Sequence, residues 1–225
     1  GNGTASFDVE VENPSAYAGK KIVVTFEAVI NDEADVENGV VNKLDNYGTS
    51  VQVPTTFGKF EFTKVDPDGK GIENVTFQVK DGDTTLYFVK QKDGSYKKAA
   101  SAATSGATAD VKTGADGKLS FTGLDKTKTY TVTETKRASD AYLDIMPSFT
   151  VSFNEENGSA VLAKTATSDP WGLVNTTAKT VKNIKSITQL PLTGAAGTML
   201  FTVVALLVAG AGVTIAIKSR QNAEA

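Results

Sequence analysis

Three polar residues stand on strand faces that are otherwise apolar. Phe60, Phe62 and Lys64 share one face of a two-residue alternation, with Glu61, Thr63 and Val65 on the other. Tyr130, Val132 and Glu134 share a face in the same way, and Val181 is followed at the next same-side position by Asn183. Burying an isolated charge is costly, so such groups pair or change protonation. One reaction uses all three. A neutral Lys64 amine attacks the Asn183 carboxamide carbon, a protonated Glu134 hydrogen-bonds the carboxamide oxygen and shuttles the proton, and ammonia leaves behind a Lys–Asn amide. Proximity and desolvation come from the protein itself, so no cofactor is required. The reaction runs once per molecule and is not enzymatic turnover. Asn175, in Leu-Val-Asn-Thr, competes with Asn183 for the role of acceptor. The plainer alternatives are a lysine that snorkels at a strand edge and a glutamate on an exposed face.

A second chemical signal closes the chain. Leu190-Pro191-Leu192-Thr193-Gly194 precedes an almost uninterrupted apolar run over 195–217, and Lys218 and Arg220 follow it. The uncharged stretch from Met199 to Ile217 would cover roughly 28 Å as a helix, close to the ~30 Å hydrocarbon core of a bilayer. The basic residues stand where cytoplasmic positive charge holds a span in place. Pro191 fixes its own φ and keeps Leu190 out of the helical region, so the pentapeptide reads as a bent, extended substrate.

These elements resemble the sorting signal of Gram-positive cell-wall proteins: a Leu-Pro-any-Thr-Gly motif, a hydrophobic span and a basic tail. The resemblance implies a sortase as partner. Its cysteine attacks the Thr193 carbonyl, Gly194 leaves with the span, and an amine then takes Thr193 into an amide bond.

Composition excludes much else. The chain of 225 residues has a net charge of −3 and no dense basic patch, which argues against nucleic acid as a partner. It has no cysteine and no histidine, so thiolate–imidazole zinc sites, Cys–His and Ser–His–Asp nucleophile systems and disulfides are all excluded. Neither an initiator Met nor a signal peptide precedes Gly1, although the tail demands export. The sequence is therefore expected to be the C-terminal part of a longer precursor.

The elements that must position the chemistry are strands. Residues 1–56 read as the end of an upstream β-sandwich, with strands around 7–11, 24–30, 40–47 and 49–53. Within them Asn42 resembles the asparagine that shaft domains bond to a lysine, although a turn or strand-end asparagine is the preferred reading. Residues 54–57 form a linker, and 57–187 form a second β-sandwich of about seven short strands. Asp66-Pro67-Asp68-Gly69 and Asp93-Gly94 mark turns. The stretch 97–114, rich in Ala, Ser and Thr, reads as a surface insertion with a short helical turn near 99–103. Residues 149–153 and 159–164 form a hairpin, and 177–187 the last strand. Residues 188–194 are the linker and motif, 195–217 a single transmembrane helix and 218–225 a cytoplasmic tail. The fold class is all-β, an Ig-like or prealbumin-like antiparallel sandwich.

Phe60-Glu61-Phe62-Thr63-Lys64-Val65-Asp66, then Gly123-Leu124, then Tyr130-Thr131-Val132-Thr133-Glu134-Thr135 resemble the Cna B-type, prealbumin-like domains of Gram-positive pilins. The resemblance covers 58 to the C-terminus. It implies that Lys64 and Asn183 are the bonded pair and Glu134 the catalytic carboxylate. It also favours Asn183 over Asn175, because Asn183 lies on the last strand before the sorting signal. One departure stands out: the segment after the glutamate usually continues Ala-Pro-any-Gly-Tyr, whereas here Arg137-Ala138-Ser139-Asp140-Ala141-Tyr142 keeps only the tyrosine. The family implies a fimbrial shaft subunit, with neighbouring pilin subunits and peptidoglycan as covalent partners. The alternative is a wall-anchored adhesin that uses this domain as a stalk. The pilin-motif lysine that would separate the two, and any surface ligand, are not legible in these residues.

Overall fold

The computed structural model describes residues 8–25, 31, 33–36, 38–46 and 49–191. Among these residues fifteen strands run in chain order: β1 (Val40–Asn46), β2 (Thr49–Thr55), β3 (Gly58–Val65), β4 (Thr76–Asp81), β5 (Thr84–Thr85), β6 (Phe88–Lys90), β7 (Tyr96–Lys98), β8 (Ala107–Thr108), β9 (Val111–Lys112), β10 (Lys118–Leu124), β11 (Tyr130–Lys136), β12 (Ser148–Phe153), β13 (Ala160–Ala163), β14 (Val174–Asn175) and β15 (Thr180–Lys182). Among the described residues the only helical pieces are two 3₁₀ turns, Pro14–Tyr17 and Ile187–Gln189.

From β3 onward the strands form two sheets that face each other. One has the order β14-β15-β3-β10-β7-β6-β8, the other β13-β12-β11-β4-β5 with β9 beside β4. The expected all-β prealbumin-like sandwich is the architecture found. Alternation makes it: in β3, Phe60 and Phe62 point inward while Lys59 and Glu61 meet water. Phe60 stacks on Phe121 of β10 at 4.7 Å, and Phe62 meets Phe77 and Phe149 of the opposite sheet edge-on at 4.9 and 5.1 Å. These rings join the sheets and lead directly to Lys64, the next inward position. At the start of β3 only glycine fits, since a Cβ on Gly58 would lie 2.4 Å from the Phe153 ring.

Several local expectations change. Residues 8–25 hold the Pro14–Tyr17 turn and no strand, and Val9, Ile22, Val23 and Val24 are all about half exposed or more. Alternation by itself does not make a strand where no neighbour supplies the ladder. Most of the expected strand 24–30 lies outside the described residues. β1 and β2 form an isolated antiparallel hairpin in which Asn42 faces Val53. β2 runs on to Thr55, so the anticipated linker shrinks to Thr56 and Phe57.

The stretch 97–114 is only partly a surface excursion. Residues 101–106 form exposed turns without a helix, but Val111 is fully buried on β9 and Thr113 is 3% exposed. The Thr113 hydroxyl donates to the Ile72 carbonyl and accepts the Val75 amide, so its end belongs to the core. The last strand is shorter than its alternation suggests. Lys179 at φ 53 turns the chain sharply into β15, and after Asn183 the backbone folds toward the second 3₁₀ turn. Among the described residues no helix is long and apolar enough to cross a membrane. The apolar run 195–217 and the tail 218–225 lie outside them.

Candidate functional site: a buried lysine, glutamate and asparagine

Lys64, Glu134 and Asn183 meet between the two sheets. Lys64 ends the inward row of β3, Glu134 ends the inward row of β11, and Asn183 follows β15 directly. All three are at most 1% exposed. Antiparallel register sets Glu134 opposite Phe77 of β4, so the carboxylate sits beside an aromatic wall. β15 runs parallel to β3 with Val181 beside Lys64, and the Asn183 amide donates to the Val65 carbonyl at 2.8 Å. The asparagine thereby stays level with the lysine although it lies about 120 residues later.

The backbone of Lys64 is held from a third side. Its amide donates to the Gly117 carbonyl at 2.8 Å, and its carbonyl accepts the Ile72 amide at 2.9 Å. Gly117 has φ +77, and a Cβ there would stand 2.3 Å from the Lys64 carbonyl oxygen. Glycine at 117 is therefore what permits this close approach.

The side chains form one chain of contacts. Lys64 Nζ donates to Glu134 Oε2 at 2.7 Å, and Asn183 Nδ2 donates to Glu134 Oε1 at 3.1 Å. The Phe77 ring centroid lies 6.0 Å from Lys64 Nζ. Among the described residues no buried side-chain nitrogen or oxygen lacks a partner.

Electrostatics push both ionisable groups toward their neutral forms. Burial lowers the Lys64 ammonium to about 8, with the nearby Glu134 charge opposing the fall. Burial raises Glu134 above the usual carboxylate range, against the opposing pull of Lys64. Proton transfer from Lys64 to Glu134 along the 2.7 Å contact yields a neutral amine and a carboxylic acid without moving a heavy atom. A neutral amine is a nucleophile, the acid can hydrogen-bond a carboxamide oxygen, and the carboxamide is adjacent.

The other expected site residues lie elsewhere. Asn175 is exposed, and its Oδ1 accepts the Thr177 and Ala178 amides, which makes it the cap of the β14–β15 turn. Asn42 is exposed on β1 and donates to Thr55 Oγ1 at 3.3 Å. Leu190 and Pro191 are described; Leu192, Thr193 and Gly194 are not. Where the segment after Glu134 departs from the usual pattern, other contacts hold it. Arg137 pairs with Asp140 and Asp144 at 2.8 and 3.3 Å, and the Leu143 amide donates to the Ile184 carbonyl at 2.8 Å.

Asp169 escaped sequence reasoning. Its buried carboxylate accepts the Leu173 and Val174 amides, each at 2.8 Å, and the Lys164 ammonium at 2.7 Å. It shapes the turn that delivers β14 to β15, and its charge acts on Lys64. The turn signal Asp169-Pro170-Trp171-Gly172 was its only trace in the sequence.

The family described as a SpaA prealbumin-like fold domain matches residues 58–169, and the LPXTG cell wall anchor motif matches residues 185–224. No curated protein matches the chain. Among solved structures, a streptococcal ancillary pilin aligns at 16% identity and a TM-score of 0.39, covering 60% of this chain and 34% of that one. The pilus 2b backbone protein of group B streptococcus aligns at 20% identity and 0.35, covering 62% and 44%. A double mutant of the shaft pilin SpaA from Lactobacillus rhamnosus GG aligns at 19% and 0.35, covering 60% and 48%. The chain thus spans about a third to a half of the length of these structures.

Proposed function

Because residues 58–169 form a prealbumin-like domain of the SpaA family and residues 185–224 carry an LPXTG cell wall anchor motif, we propose that this chain is a structural subunit of a sortase-assembled pilus, stapled internally by a bond between Lys64 and Asn183. The observation that supports the staple is the buried contact chain from Lys64 through Glu134 to Asn183. A buried ion pair adds little to stability over an apolar pair of similar volume, so the presence of Lys64–Glu134 between β3 and β11 calls for a chemical reason.

The steps balance within the protein. Lys64 passes a proton to Glu134, and the carboxamide turns so that its oxygen faces the Glu134 O–H. The free amine attacks Asn183 Cγ, while Glu134 stabilises the charge growing on the oxygen. A proton then moves from the former Lys64 nitrogen, through Glu134, to the departing NH₂. The Nζ–Cγ bond forms, the Cγ–Nδ2 bond breaks, and ammonia leaves. Glu134 ends as the carboxylic acid, still holding the proton first taken from Lys64, and because the lysine and asparagine are consumed the event is single.

The sorting step uses a different bond. In the precursor the run 195–217 holds the chain in the membrane, and a sortase cleaves between Thr193 and Gly194. The Thr193 carbonyl is then joined to an amine of a neighbouring subunit or of peptidoglycan, which leaves the domain at the cell surface. A staple from β3, the first strand of the sandwich, to the residue after β15 suits a subunit pulled from both ends.

Intact mass tests the staple. The wild-type chain should be lighter than its sequence by one ammonia, and digestion should yield a branched peptide joining Lys64 to Asn183. Glu134→Ala and Asn183→Ala should both have full mass, and Asn175→Ala should keep the deficit. A wild-type chain of full mass rejects the bond.

A further inference from the structure

The sorting motif does not begin in a free linker. Leu190, its first residue, is 4% exposed and packs in a small second core with Leu173 and Ile184, which are themselves 3% and 1% exposed. Leu143, Ile145 and Trp171 pack around this cluster. The approach to it is folded as well. The Ser186 side chain accepts the Thr188 amide, Gln189 Oε1 accepts the Lys185 and Ser186 amides, and the Leu190 amide donates to the Ile187 carbonyl. This capped turn leaves Ile187 56% exposed while it points Leu190 inward. The wall opposite is set in advance: Asp169 binds the Leu173 and Val174 amides, and Gly172 beside them turns the chain at φ +69.

We propose that this second core is a binding seat, within the same chain, for the leucine of its own sorting motif, and that the folded domain thereby withholds the motif from sortase. An enzyme that reads Leu-Pro-any-Thr-Gly must enclose Leu190, and one side chain cannot fill two pockets. Sortase therefore binds the fraction of molecules in which Leu190 has left its seat, and its apparent affinity falls in proportion. Burial of one leucine, less the ordering of the short turn, corresponds to about a tenfold reduction. Leu190 stands seven residues after Asn183, so the withheld motif is continuous with the strand end that the staple would fix. This role rests on Thr193 being a sortase site, as proposed above.

The test compares the full chain, in detergent micelles, with a synthetic peptide of residues 188–196 as substrates of one purified sortase and one amine nucleophile. The peptide has no seat. The expected result is a KM about tenfold higher for the chain than for the peptide at similar kcat. Leu143→Ala and Trp171→Ala should move the chain's KM toward the peptide's while melting of the main domain and the one-ammonia mass deficit stay as in wild type. Equal KM values for chain and peptide, unchanged by both substitutions, would overturn the seat. Sortases that cleave neither substrate would instead reject the sorting reading. The seat is then judged by the fluorescence of the chain's single tryptophan, Trp171. Leu190→Ala should shift its emission to the red at unchanged melting, and an unshifted spectrum would overturn the seat.

Discussion

The contribution of the proposed staple can be isolated by a variant that cannot form it and strands no charge. Replacing Glu134 alone leaves the Lys64 amine buried beside Phe77 without its carboxylate, and that defect adds its own cost of about 3–5 kcal/mol. The double variant Lys64→Met, Glu134→Gln removes both charges at nearly constant volume and leaves an amide beside Asn183, which changes stability by no more than about 1.5 kcal/mol. What remains is the ring. A bond from Lys64 to Asn183 closes about 120 residues, for which the chain-entropy relation gives about 5 kcal/mol at 25 °C. For a domain of about 130 residues, with unfolding entropy near 2.1 cal/mol/K per residue, that corresponds to a Tm lower by about 15–20 °C. Calorimetry of wild-type and double-variant chains, with intact mass on the same samples, provides the comparison. A wild type lighter by one ammonia whose Tm exceeds that of the full-mass variant by less than about 5 °C would refute the entropic argument.

Two further outcomes follow from the site. The ion pair and the reactive pair of neutral amine and carboxylic acid hold the same number of protons, so the rate of bond formation should be level with pH while that shared proton stays. Burial brings Lys64 to about 8 and raises Glu134; above pH 8 the pair loses the proton that Glu134 must give, and the rate should fall instead of rising with amine deprotonation. Mass spectrometry of unfolded, unreacted chain refolded at each pH reads this, and a rate that keeps climbing to pH 10 would contradict it. Gly117→Ala should lower stability by about 2 kcal/mol or more and slow the bond, since its Cβ would meet the Lys64 carbonyl at 2.3 Å in a backbone conformation alanine resists; unchanged calorimetry would show that the loop yields freely.

The parts of the site that were legible are those written in local alternation. Lys64 follows Phe60 and Phe62 in step, and Glu134 follows Tyr130 and Val132, so a two-residue period alone put both on inward faces. Asn183 and Asn175 look equivalent by that measure. What separates them is the parallel register of β15 on β3, a pairing between residues more than a hundred positions apart. The same limit explains Asp169, whose partners are backbone amides of a turn, and Val111 with Thr113, whose burial comes from β4 and the Ile72 carbonyl. Pro191 makes Leu190 read as part of an extended substrate. Its actual surroundings come from Leu173 and Ile184, which no window around the motif contains.

The position of the exposed turns at 101–106 bears on how such a molecule would age outside a cell. They lie between Lys64 and Asn183, and small residues such as Ser101, Ala102 and Ala103 face solvent there, as suits attack by a protease. In an unbonded chain one cut at this tip divides the molecule in two. In the proposed bonded form the same cut opens a covalent ring, and the path from Gly58 to Lys64, across to Asn183 and on to Leu190 stays unbroken. Digestion followed by denaturing electrophoresis would then show a nicked species that does not fall apart. A cut in these exposed turns would thus leave the covalent path through the domain whole.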